Sequence, residues 1–236
     1  MEVNVFQTAD EAAQVLVAEI SQLCADNTTL NLGFATGRSM LPVYSAMRST
    51  LGAELPGICG WNLDEYWPQS AAGDLSFASF MRAQFPLANT PAQLPGTDLT
   101  GADLDQFCKS YEDRLEASGG IDLQLLGIGV NGHIGFNEPG SAPDSRTRLV
   151  KLTTSTIERA GFPEGSAPQQ AISMGIENIL AAIRIRICVF GQEKSAAVAR
   201  AIEGNMDSSC PASFLQIHAD ISWFLDREAA AGLSSS

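Results

Sequence analysis

The feature that most restricts the fold of this 236-residue chain is a regular succession of short apolar runs, each released into small or polar residues and then a helical pattern. Leu30–Ala35 leads into Thr36-Gly-Arg-Ser39, Ile58–Leu63 into Asp64-Glu-Tyr66, Asp122–Ile128 into Gly129–His133, and Ile185–Phe190 into Gly191-Gln-Glu-Lys194. Between them the apolar spacing predicts helices over Ala12–Cys24 (opened by the capping-box pattern Thr8–Glu11), Val43–Met47 after Pro42, Ser76–Phe85, Leu104–Ser118 closed by Gly119-Gly120, and Ser195–Glu203. A last strand is expected over Ile221–Leu225, and a loop over Leu94–Asp98. Strands separated by helices pair in parallel, which predicts an α/β fold: a single-domain, Rossmann-like, mostly parallel sheet with helices on both faces. That domain should span residues 1–228, with 229–236 a frayed tail. Ligands of such sheets bind beyond the carboxyl ends of the strands, so the four loops at Thr36, Asp64, Asn131 and Gly191 should converge on one cleft.

Composition narrows the partners. An apolar fraction of 45% with 17% charged residues allows a sizeable core. A net charge of −13 opposes a nucleic-acid partner, whose phosphates need a concentrated basic surface. An anionic small substrate would require the few cations to be gathered locally. Cys24, Cys59, Cys108, Cys188 and Cys210 are scattered without metal spacing and read as reduced, mostly structural thiols. The chain shows neither a signal-peptide pattern at its start nor an apolar stretch long enough for a membrane span, so a cytoplasmic location is expected.

Four segments carry residues suited to chemistry. The Thr36–Ser39 loop could admit an anion at a helix N-terminus, although a plain turn before a helix fits it equally well, and it is neither a Walker loop nor a dinucleotide fingerprint. Asp64-Glu65 offers paired carboxylates, one of which could be a base for a carbon acid; the tripeptide alone reads more readily as a helix N-cap. Gly127–Gly140 is harder to explain as scaffold: it holds one of two histidines, His133, with Asn131 before it and Glu138 after it. An imidazole beside a carboxylate suits proton transfer to oxygen near neutral pH. His218 reads as a packed or helix-end residue, Lys194 as a point charge for a phosphate, and Arg200 as part of a solvated helix face.

Asn62-Leu-Asp-Glu-Tyr66, Leu126–Pro139, Ala171-Ile-Ser-Met-Gly175 and Pro211–His218 together resemble the glucosamine-6-phosphate deaminase (isomerase) family, in order and spacing, over nearly the whole chain. The resemblance implies conversion of an amino-sugar 6-phosphate and water to a ketose 6-phosphate and ammonia, with no metal or organic cofactor. It assigns Asp64 as the base that moves a proton from C2 to C1. It assigns His133, supported by Glu138 and Asn131, to ring opening, and Thr36, Gly37, Arg38, Ser39 and Lys194 to the 6-phosphate. Three positions depart from the family's common pattern. Asn131 stands where many members have aspartate, the first loop reads Thr-Gly-Arg-Ser-Met, and Phe162 occupies the register of a phosphate-binding arginine, a charge that Arg38 or Arg159 could replace. The chain lacks the C-terminal extension of allosteric hexameric relatives, so a monomer or small homo-oligomer with little activation by the N-acetylated sugar phosphate is expected. The related 6-phosphogluconolactonases differ at Tyr66 and Phe136–Pro139. A galactosamine-6-phosphate deaminase stays open, and a sugar-phosphate-sensing domain is the non-enzyme alternative.

Overall fold

A computed structural model describes residues 1–27, 29–52, 57–68, 73–85 and 101–234, with side chains from 103 onward in the last segment. The strands are β1 (Glu2–Phe6), β2 (Leu30–Phe34), β3 (Ile58–Asn62), β4 (Asp64–Trp67), β5 (Leu123–Leu126), β6 (Arg148–Lys151), β7 (Gln170–Ser173), β8 (Arg184–Val189) and β9 (Ile221–Asp226). The helices are α1 (Ala9–Asp26), α2 (Leu41–Leu51), α3 (Phe77–Gln84), α4 (Gly101–Ala117), α5 (Thr154–Arg159), α6 (Ile176–Leu180), α7 (Ser195–Glu203) and α8 (Arg227–Ala230). The predicted loop at Leu94–Asp98 lies outside the described residues.

Among the described residues the main sheet has six strands in the order β1-β9-β8-β5-β2-β3, and every pairing in it is parallel. The alternation read from the sequence is therefore the architecture of the molecule. β2 is buried along its whole length, as a strand covered on both faces must be. α1 turns Ala12, Ala13, Leu16, Val17 and Ile20 inward. At this spacing they form one stripe, and each fully buried Leu, Val or Ile contributes about 1.5–3 kcal/mol. Thr8 caps α1 by accepting from Glu11 N, while Glu11 reaches back to Gln7 N rather than to Thr8. Gly119 and Gly120, at φ 100° and 80°, let the chain leave α4, with Gly120 N donating to Leu115 O.

Four strands, β1, β4, β6 and β7, were not foreseen. β1 is an edge strand of the main sheet, and β6 and β7 join β4 in a second, antiparallel sheet ordered β4-β7-β6. These strands are short, and their pattern is set by the partner strand rather than by a long apolar run. Asp64-Glu65-Tyr66 is consequently not a helix N-cap; it opens β4, pairing with Ser173, Ile172 and Ala171.

The tail is also corrected. Ala229 and Ala230 are buried, Asp226 caps α8 by accepting from Ala229 N, and Ser234 N donates to Glu203 at 2.9 Å. The small side chains of Ala229 and Ala230 allow this close docking, and Leu233 packs against the core. The chain is therefore held down as far as Ser234.

Candidate active site

Strand order locates the site. From β2 the chain moves to β3 on one side, whereas β5 lies on the other, so the order reverses between β2 and β5. The loops leaving two adjacent strands diverge there and open a crevice. A cavity of about 690 Å³ occupies it, lined by Thr36–Ser39 after β2, Gly127–Asn131 and His133 after β5, Glu193 and Lys194 after β8, and Asp64 and Tyr66 of β4. The four loops expected to meet do meet. Arg159 and Thr156 complete one wall, and Tyr66, Phe77 and Phe136 form an aromatic one.

The strand period of two separates the acidic pair. Asp64 and Tyr66 face the cavity, and Glu65 points to the opposite face of β4. There Glu65 accepts from Phe77 N at 3.0 Å and Ala78 N at 2.7 Å, holding the start of α3. Asp64 is buried, and its Oδ1 has no hydrogen-bond partner among the described residues. Burial, and then the neighbouring Glu65 charge, pushes its carboxyl well above the usual carboxylate range. A group so poised can accept a proton from carbon and give it back. Gly135, at φ 55°, makes room for it: a Cβ there would lie 3.3 Å from Asp64 Oδ2.

Across the cavity, Asn131 Nδ2 donates to Glu138 Oε2 at 2.8 Å, and Asn131 Oδ1 accepts from His133 N at 3.2 Å. His133 Nδ1 lies 3.5 Å from Glu138 Oε2, an ion-pair contact longer than a well-formed hydrogen bond. The other carboxylate oxygen, Oε1, accepts from Thr156 Oγ1 and Thr153 Oγ1. Burial would push the Glu138 carboxyl up, but His133, Thr156 and Asn131 outweigh it and hold the group at about 2. The imidazole folds over the backbone of Gly129, where a Cβ would sit 2.3 Å from its Cε1.

Arg38, Lys194 and Arg159 form a cationic end to the cavity. Lys194 Nζ donates to Ile128 O at 2.9 Å. Burial lowers the Lys194 ammonium from its ordinary value; Glu193 opposes the shift, and Arg159 and Arg38 add to it. None of the three cations is ion-paired to a carboxylate among the described residues. Such a cluster has the chemistry to hold an anion, and the glycines at φ 110° (Gly37) and 91° (Gly191) release both loops into tight 3₁₀ turns beside it. Phe162 packs edge-on to Tyr66 with centroids 5.0 Å apart, so that position backs the aromatic wall and carries no charge.

Sequence reasoning missed the aromatic wall of Phe77 and Phe136 and the Thr153–Thr156 turn. The turn did carry a signal, because Thr153 is a threonine N-cap, accepting from Thr156 N to open α5. His218 ends a 3₁₀ segment and binds Ala182 O at 2.8 Å, away from the cavity, in keeping with a packed residue. Arg200 is exposed, yet its Nη2 donates to Asn131 O at 2.7 Å, so it is not simply solvated.

Residues 4–223 match the family described as glucosamine-6-phosphate isomerases/6-phosphogluconolactonase. The chain belongs to that family. Among curated relatives it is similar to a glucosamine-6-phosphate deaminase of Streptococcus thermophilus, 42% identical over 205 residues that cover 86% of this chain and 87% of that one. It is also similar to one of Streptomyces coelicolor, 37% identical over 242 residues, covering 99% and 93%. Among solved structures, a monomeric glucosamine-6-phosphate deaminase superposes with a TM-score of 0.90 at 34% identity, covering 98% of this chain and 100% of that one. A 6-phosphogluconolactonase from Trypanosoma brucei shares the fold, with a TM-score of 0.79 at 18% identity, covering 99% and 98%.

Proposed function

We propose that this chain converts glucosamine 6-phosphate and water into fructose 6-phosphate and ammonia, an aldose–ketose isomerisation with loss of the amine. The observation that carries the reading is one cavity holding a buried carboxylate, an imidazole–carboxylate pair and three cations that make no ion pair with a carboxylate among the described residues. His133, kept in place by Asn131 and Glu138, takes the proton of the C1 hydroxyl and delivers one to the ring oxygen, which opens the pyranose to the aldehyde. Asp64 then removes the proton from C2 and returns it at C1. With a proton also passing from the amine to the C1 oxygen, this moves the unsaturation to C2 as an imine, which water hydrolyses to the ketose and ammonia. Thr36, Gly37, Arg38, Ser39 and Lys194 hold the 6-phosphate, and Arg159 supplies the charge absent at Phe162. The residues perform these steps without a metal or organic cofactor.

The reading extends to amino-sugar catabolism in the cytoplasm, by a monomer or small homo-oligomer with little activation by the N-acetylated sugar phosphate. Likeness to a relative described as monomeric supports the assembly, and five free thiols support a reducing compartment. Among the described residues no helix is long and apolar enough to cross a membrane. Incubation with the 6-phosphates of glucosamine and galactosamine and with 6-phosphogluconolactone, measuring ammonia and ketose phosphate separately, tests the reading. Ammonia should come from the glucosamine ester. Ammonia from neither amino sugar would sink the proposal, and faster release from the galactosamine ester would move the substrate to that epimer.

A further inference from the structure

We infer that Arg200 is a positioning residue for the ring-opening pair, acting from outside the cavity through the backbone of the loop that carries it. Asn131 is the joint of that pair: its side chain binds His133 N through one atom and Glu138 through the other. Its main-chain oxygen faces outward and accepts from Arg200 Nη2 at 2.7 Å. This is a charge-assisted bond to the one peptide whose rotation would move both partners.

The approach needs the neighbouring glycine. Gly132 has φ 90°, and a Cβ there would stand 3.2 Å from Arg200 Nη2 and 2.5 Å from Cys210 Sγ. The same short stretch is tied on its other side, where Gly132 O accepts from Ala212 N at 2.9 Å and Gly140 N donates to Ser208 O at 2.7 Å. Arg200 thus ties α7 to the Asn131 loop, and the 207–213 segment braces the same loop through Gly132 and Gly140. Neither Arg200 nor residues 207–213 are among those that line the cavity. Arg200 lies on the same helix that begins directly after Lys194, so the helix presenting a phosphate cation also anchors the imidazole loop. Binding at one end of the cavity and proton transfer at the other therefore share one rigid element.

The inference rests on the proposed deaminase reaction, and its test separates the two. Ammonia release is measured for wild type, R200A and R200K, with thermal melting as a control on folding. Small misplacements of catalytic groups act on kcat, so R200A should lose about ten-fold in kcat while KM stays within about two-fold. Because the side chain is exposed, added ethylguanidinium should restore much of the R200A rate, and R200K should fall between the two. An unchanged kcat in R200A, a loss carried wholly by KM, or a deficit that ethylguanidinium leaves in place overturns the positioning role. A wild-type protein that releases no ammonia overturns the reaction itself. If R200A melts early, the R200K rate and the split between kcat and KM decide the question.

Discussion

Asp64 buries a carboxylate whose Oδ1 finds no hydrogen-bond partner among the described residues, so its ionised form costs the fold free energy that the proposed chemistry requires. A raised carboxyl favours the folded state below its ordinary value near 3.8, and that advantage is lost as pH rises through the folded value. At neutral pH, D64N should therefore abolish turnover and exchange of the C2 proton with solvent, and also raise the melting temperature, by a few degrees for about 1 kcal/mol. A melting temperature equal to or below wild type would show that the burial cost is relieved elsewhere. Asn131 makes a second residue-scale argument. Its amide donates to Glu138 at 2.8 Å, which an ionised aspartate cannot do. In N131D two carboxylates would share that contact, and one would hold a proton that the native pair does not. The acidic limb of the kcat/KM profile should move up by about one pH unit or more. An unmoved limb would mean that Glu138 does not govern it. Both proposed roles were half-visible in the sequence. The His133 block stood out through its glycines, while the residues alone left Asp64 and Glu65 undistinguished, the family resemblance chose Asp64, and the strand supplies the physical reason.

That strand shows what sequence periodicity could and could not deliver at the scale of elements. β2, β5 and β8 were legible because a strand buried on both faces needs a mainly apolar run, and the helices between them carry capped, periodic stripes. β4, β6 and β7 were not, because four residues in an antiparallel sheet hold too little pattern to set them apart from turns. Glu65 is the link between this small sheet and α3. With its side chain buried and bonded to Phe77 N and Ala78 N, it satisfies donors at the helix start that would otherwise be orphaned. E65A should cost about 2–3 kcal/mol in chemical denaturation, and E65Q less, since a glutamine retains one acceptor. Activity per folded molecule should fall too, because α3 carries Phe77 to the aromatic wall of the cavity. A loss of stability under 0.5 kcal/mol would show that the contact to α3 is incidental.

Across the whole molecule, 27 acidic and 14 basic side chains set a background against which any one carboxyl must be judged. Falling pH neutralises the surface and relaxes its self-repulsion, so the total stability profile mixes many groups. A difference between wild type and E138Q removes that shared background. Glu138 is held at about 2 against an ordinary 4.5, so its contribution is complete above 4.5 and disappears as pH falls towards 2. The depression amounts to roughly 1–2 kcal/mol once solvent screening around the quarter-exposed imidazole is allowed for. E138Q should thus unfold at lower urea than wild type at pH 7, and the gap should narrow steadily below pH 4.5. The net charge passes through zero near pI 4.4, so the series is best run at low protein concentration. A gap that stays constant from pH 7 to pH 3 would mean that Glu138 stabilises the loop through packing alone. In that case the imidazole would owe its orientation to Asn131 and to the outer bond from Arg200, not to a charged partner.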